Sequence, residues 1–140
     1  MPNRLRAVLL ILTTVLAMSC GTTSPSTPLT GTWAGTLTDS VYGAGTFTST
    51  ITEVGTNLTG SYTDTFPKIV ISGSVEGTVN GSGVTLTITP SAPLICPVTE
   101  TGTLNSTNTS VSGTYASLST CTATQTTGTF SGTITAGSGS

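Results

Sequence analysis

One element recurs five times along this chain and restricts its fold more than any other feature: an apolar residue, Ser or Thr, Gly, Ser or Thr, and a second apolar residue. The copies are Leu29-Thr30-Gly31-Thr32-Trp33, Leu58-Thr59-Gly60-Ser61-Tyr62, Ile71-Ser72-Gly73-Ser74-Val75, Val111-Ser112-Gly113-Thr114-Tyr115 and Phe130-Ser131-Gly132-Thr133-Ile134. In a β-strand successive side chains point to opposite faces, so both apolar residues and the glycine share one face and the hydroxyls take the other. Glycine inside a strand weakens a flat sheet. On a concave face it lets the strand bend sharply, which closing a narrow barrel demands. With this much Gly and Thr, one or two copies arise from composition alone; five at strand centres point to a sheet that curls shut.

The same period of two runs through the rest of the chain, with no helical pattern between residues 29 and 136. It predicts eight strands at 29–38, 44–54, 57–65, 69–79, 82–89, 95–104, 109–117 and 123–135. The connections are Asp39 to Gly43, Gly55, Phe66 to Lys68, Asn80-Gly81 and Asn105 to Asn108, among others. Asn80-Gly81 is the strongest turn signal, because both residues tolerate the positive φ of a type I′ hairpin. Links this short join antiparallel neighbours. The expected fold is therefore all-β: a single small antiparallel up-and-down barrel of about eight strands. Its inward face reads Trp33, Leu37, Phe47, Ile51, Leu58, Tyr62, Ile71, Val75, Val84, Leu86, Ile88, Val98, Leu104, Val111, Tyr115, Phe130 and Ile134. A barrel of this size is either filled by side chains or holds one small ligand, and the glycines act both ways. They let walls approach, or they leave a cavity.

Charge is scarce, at 6% of residues. Both arginines, Arg4 and Arg6, precede the strands, which leaves Lys68 against Asp39, Glu53, Asp64, Glu76 and Glu100. Without a basic patch the domain has no means of neutralising phosphates, which excludes nucleic acid and attraction to anionic headgroups.

Arg4 and Arg6 form a basic start, followed by the apolar run Ala7 to Ala17. About 11 residues is too short to cross ~30 Å of hydrocarbon as a helix and suits a signal peptide. The run ends in Leu16-Ala17-Met18-Ser19-Cys20, which resembles the lipobox of bacterial lipoproteins. Ala17 stands where that motif usually has Leu. The resemblance implies cleavage of residues 1–19, diacylation of Cys20 with palmitate-type chains, and stable attachment to a membrane. An ordinary secretory signal cut nearby would leave Cys20 incidental. Three cysteines in an exported chain leave one odd thiol, and lipidation of Cys20 removes it. Cys96 and Cys121 then pair as a disulfide, closing about 25 residues and contributing ~3 kcal/mol. A metal pair there has no His or further Cys to complete it. Residues 20–28 read as the lipidated cysteine and a Ser/Thr/Pro tether, and 137–140 as a disordered tail.

Gly31-Thr32-Trp33 also resembles the Gly-x-Trp opening of lipocalins and avidins, the calycin meander barrels. The resemblance implies that Trp33 plugs the closed end of the barrel. The lipocalin arginine over that Trp is absent, as are the further Trp residues and the early Asn and Tyr with which avidins hold biotin. Biotin is therefore not the expected ligand.

No chemistry stands out. The chain has no His, and none of its many hydroxyls has a candidate base or a Gly-x-Ser-x-Gly elbow. Calcium, phosphate-loop and metal spacings are missing. Asp39 and Asp64 share the face of Trp33 and Tyr62, which allows one of them at the barrel mouth and a paired-carboxylate enzyme as a third, weaker reading; the alternative is solvated charge that keeps the domain soluble. The expectation is a non-catalytic, monomeric, lipid-anchored envelope protein without cofactor or metal, with a scaffold or interaction role toward an envelope partner. Gly21 after Cys20 leans toward the outer membrane in a Gram-negative host. The alternative is a lipocalin- or avidin-like binder of a small apolar ligand lined by Trp33, Phe47, Tyr62, Tyr115 and Phe130.

Overall fold

The computed structural model describes residues 28–137. The signal peptide, Cys20 and nearly all of the tether and tail lie outside them. Eight antiparallel strands form one closed barrel in sequence order: β1 Gly31–Asp39, β2 Gly43–Val54, β3 Asn57–Phe66, β4 Ile69–Asn80, β5 Gly83–Pro90, β6 Val98–Leu104, β7 Ser110–Ser117 and β8 Thr127–Ala136. β8 pairs back onto β1 from Gly31↔Ala136 to Asp39↔Gly128, so no sheet edge remains. Following paired residues once round, the register advances by about ten residues, which tilts the strands by the usual 35–45° or so.

The inward set is largely as expected, except that Phe47 and Val98 are only partly buried. Leu29, Phe66 and Cys96 join the core unpredicted. The motif glycines lie on the lumen side with their buried neighbours, and the reason is steric. A Cβ on Gly60 would stand 1.9 Å from the Thr50 carbonyl oxygen, and one on Gly113 would stand 2.0 Å from that of Thr101. Elsewhere glycines seat rings from neighbouring strands: a Cβ on Gly128 would strike the Tyr115 ring at 2.3 Å, and one on Gly132 the Phe47 ring at 2.6 Å. The walls thus approach, and aromatic rings lie over the bare backbone.

Three sequence expectations shift. β6 begins at Val98 rather than 95 and β8 at Thr127 rather than 123. The segments 91–97 and 118–126 leave the sheet because Pro97 has no N–H to donate and the Cys96–Cys121 disulfide ties the two together. A parallel bridge, Ile95↔Thr124, joins them as well. β1 begins at Gly31, with Leu29 folded over the barrel end at 1% exposure. The β4–β5 hairpin forms, but Asn80 pairs with Gly83, so the two-residue loop is Gly81–Ser82 and only Gly81 has positive φ, 59°. That is the type II′ pattern, with glycine first, rather than type I′. The β2–β3 loop repeats it, with Gly55 at φ 64°.

The two barrel ends differ. One holds the chain entry, the β2–β3, β4–β5 and β6–β7 turns, and the exit at Gly137. Here Trp33, 2% exposed, donates its indole N–H to the Leu29 carbonyl at 2.9 Å. Glu53 accepts the Leu29 N–H at 2.8 Å, and Thr30 Oγ1 accepts the Glu53 N–H at 2.8 Å. This end is closed. The opposite end carries the disulfide-tied segments and is the mouth.

Candidate functional site

The mouth is built from the last residues of β1, β3, β5 and β7, whose inward positions carry Asp39, Asp64 and Phe66, Ile88, and Tyr115 respectively. β6 brings Glu100 from the other side. Below the roof of segments 91–97 and 118–126 lies a cavity of about 40 Å³, and deeper toward Trp33 a second of about 20 Å³. The two share Leu37, Tyr62, Asp64, Ile88 and Glu100 as walls, so they are neighbouring parts of one lumen. A space of ~10–15 Å³ accepts one water, so this lumen holds a few waters at most.

The five predicted lining residues all face this lumen but do not make one site. Trp33, Phe47 and Phe130 border the inner cavity, Tyr115 the mouth cavity, and Tyr62 both. Phe47 and Phe130 pack edge to face, centroids 6.2 Å apart, and fill space.

Polarity is what the sequence reading underestimated. Asp39, 6% exposed, is fully occupied by its neighbours. Its Oδ1 accepts the N–H groups of Val41 at 2.7 Å and Tyr42 at 2.9 Å, capping the β1–β2 turn. Its Oδ2 accepts the hydroxyls of Tyr115, at 2.8 Å, and Thr126. Burial acts to raise the Asp39 pKa, and these donors together outweigh it, so the carboxyl stays below its ordinary value. Asp39 is thus a charged pin holding the 118–126 segment and the first turn to the barrel.

Asp64 and Glu100 are different. Neither has a hydrogen-bond partner among the described residues, and both border both cavities. Among the described residues no side-chain polar atom sealed from solvent lacks a partner, so their oxygens face the lumen space. Burial, then the charge of Asp39, pushes Asp64 up to about 7; burial, then Asp64, pushes Glu100 up to about 8. Tyr62 and Tyr115 are raised too, first by burial. Asp39 therefore ionises first, and Asp64 and Glu100 lose their protons above it as a coupled pair.

Face alternation already placed Asp39 and Asp64 inward, and the structure brings them to one end of the barrel. Glu100 was missed although the signal was present: it lies at even spacing between Val98 and Leu104, both inward. Thr126 had the inward parity of the strand expected at 123–135, but it lies just before β8, and its meeting with Asp39 depends on the fold of that loop. Cys96 and Cys121 form the expected bridge, with Cα atoms 5.7 Å apart. Among the described residues no group of three His, Cys, Asp or Glu side chains converges closely enough to hold a metal ion.

Sequence comparison finds no matching family model and no similar curated protein.

Proposed function

We propose that this chain is a lipid-anchored envelope protein whose barrel is a non-catalytic scaffold that presents its mouth to an envelope partner. The observation that carries the reading is the near-filled lumen. Cavities of about 40 and 20 Å³ leave no room for a fatty acid or a comparable apolar ligand, which needs ~300 Å³ or more. The carboxyl groups of Asp64 and Glu100 would also have to be desolvated against such a ligand. The calycin-like alternative is the weaker reading on both counts.

Geometry supports the anchored orientation. Leu29 enters at the closed end, so a tether from Cys20 reaches the barrel there and the mouth faces away from the membrane. The barrel itself is unsuited to the bilayer, since a membrane barrel turns apolar side chains outward and here they line the lumen. Of the five exposed large apolar residues, Val41, Val70, Leu94 and Leu118 lie at or beside the mouth. They favour contact at that end.

The test is metabolic labelling with an alkyne fatty acid. The native chain is expected to be labelled and found in the membrane fraction, and Cys20→Ala to be unlabelled and soluble. Equal labelling of both, or none of either, overturns the anchor. Saturable binding of a fluorescent fatty acid by the purified protein would overturn the scaffold reading in favour of the ligand carrier.

A further inference from the structure

We propose that the mouth of the lumen is a binding site for the primary ammonium end of an alkyl chain, held by Glu100 and Asp64. The argument is independent of whether Cys20 carries lipid.

Two carboxyl groups without hydrogen-bond partners face a half-open space whose other walls are mostly apolar and aromatic, among them Tyr62, Phe66, Ile88 and Ile95, with Asp39 and Thr126 the polar exceptions. Nothing in the fold needs a carboxyl group at either position. Asp39, two strands away from Asp64, shows what a structural carboxylate looks like here, with every oxygen occupied. Asp64 and Glu100 are half-buried and have no protein donor, so lumen water alone reaches their oxygens, and a stronger donor can displace it.

The chemistry of the donor follows from the lining. A metal ion would require tighter convergence than these carboxyl groups show among the described residues. A large apolar ligand does not fit in about 40 Å³. An ammonium group has three donors in the volume of roughly one water, tolerates aromatic faces through cation–π attraction, and drags behind it methylenes that Phe66, Ile88 and Ile95 accommodate. Binding exchanges charge for charge: the ammonium enters, and a carboxyl proton leaves to solvent. The groups that share this field are Asp39, held ionised on β1, Tyr42 in the β1–β2 turn, Tyr62 on β3 and Tyr115 on β7. Burial pushes Tyr62 and Tyr115 upward and keeps them neutral, so the exchange rests on Asp64 and Glu100. The amine has two natural sources, a free alkylamine or a lysine side chain of a partner protein docked at the mouth.

The experiment is a titration of the purified full-length chain, followed by the carboxyl carbon resonances of Asp64 and Glu100. The probes are butylamine, butan-1-ol and a blocked Gly-Lys-Gly peptide. Butylamine is expected to bind saturably and shift both resonances, with affinity rising about tenfold per pH unit for each proton released, until the carboxyl groups are ionised and it levels off. Butan-1-ol, of equal length but uncharged, is expected not to bind. Glu100→Gln should weaken butylamine at least about tenfold, the loss of a charge-assisted contact. Asp64→Asn provides the same reading if the first variant folds poorly. A peptide that binds more tightly than butylamine assigns the site to a partner's lysine, and the reverse to a free amine; either supports the ammonium. Equal binding of the amine and the alcohol, no saturable shift with any amine, or full affinity in a folded Glu100→Gln protein overturns it.

Discussion

The lumen and the outer wall of this barrel invert the usual distribution of charge. Outward strand positions are almost wholly threonine and serine, paired across strands in rows such as Thr32↔Thr50 and Thr50↔Ser61, or Thr87↔Thr99 and Thr101↔Thr114, and Glu76 is the one ionisable group on them among the described residues. Asp39, Asp64 and Glu100 lie inside. A β-branched hydroxyl side chain suits a pleated, solvated face, and a neutral coat costs little to keep there. Interior charge is costly, so each inner carboxyl group needs a reason. Asp39 has one in its four donors, whereas Asp64 and Glu100 have none within the fold. The outer wall is built for stability and solubility, and the lumen gives up stability at two positions.

The largest expected effect comes from the glycines that close the lumen. Gly113→Val places atoms within 2.0 Å of the Thr101 carbonyl oxygen and is expected to abolish the cooperative thermal transition. Thr114→Val, one residue on and outward, should leave the melting temperature within a few degrees. Comparable losses from both would break the contrast between the faces. Next in size is the roof. Cys96→Ala with Cys121→Ala removes the crosslink between the segments covering the mouth and should cost about 3 kcal/mol in chemical denaturation.

The pH response distinguishes the two kinds of inner carboxyl group. Asp64 and Glu100 bind protons more tightly folded than unfolded, since their pKa values rise from 3.8 to about 7 and from 4.5 to about 8. Their contribution is therefore most favourable below about pH 4 and falls as pH climbs through 7 and 8. Asp39 works in the opposite sense: its lowered pKa contributes stability above its ordinary range that is lost only at lower pH. The melting temperature is expected to drop by roughly 10 °C between pH 4.5 and pH 9. Glu100→Gln should flatten the upper part of that slope and raise stability at pH 9. A flat profile in the native protein would show that lumen water solvates both carboxylates well enough to cancel the cost of their burial. The smallest effect is on the outside. Replacing Thr99 and Thr101 together by Val on the outer face of β6 should change stability by less than about 1 kcal/mol, read as the denaturation midpoint.

Much of this architecture was legible before any coordinates. The five Gly-centred repeats carry period-two information strong enough to assign strand number, antiparallel order, closure and the face of nearly every residue. The disulfide followed from parity among three cysteines. Where the reading slipped, a local signal met a competing constraint. Asn80-Gly81 is an ideal hairpin pair, but cross-strand register placed Asn80 in the ladder. Strands extrapolated through 95–97 and 123–126 failed because Pro97 and the disulfide hold those residues over the mouth.

What the sequence determined by itself is which way each side chain faces, because alternation is a property of a single strand. What only the tertiary structure decided is who meets whom across the lumen. Asp39, Asp64 and Glu100 come from β1, β3 and β6, and the level at which each enters the cavity depends on a stagger accumulated over the whole circuit of pairings. No local pattern encodes that sum, so inner polarity could be read strand by strand, whereas its gathering at one end of the barrel could not.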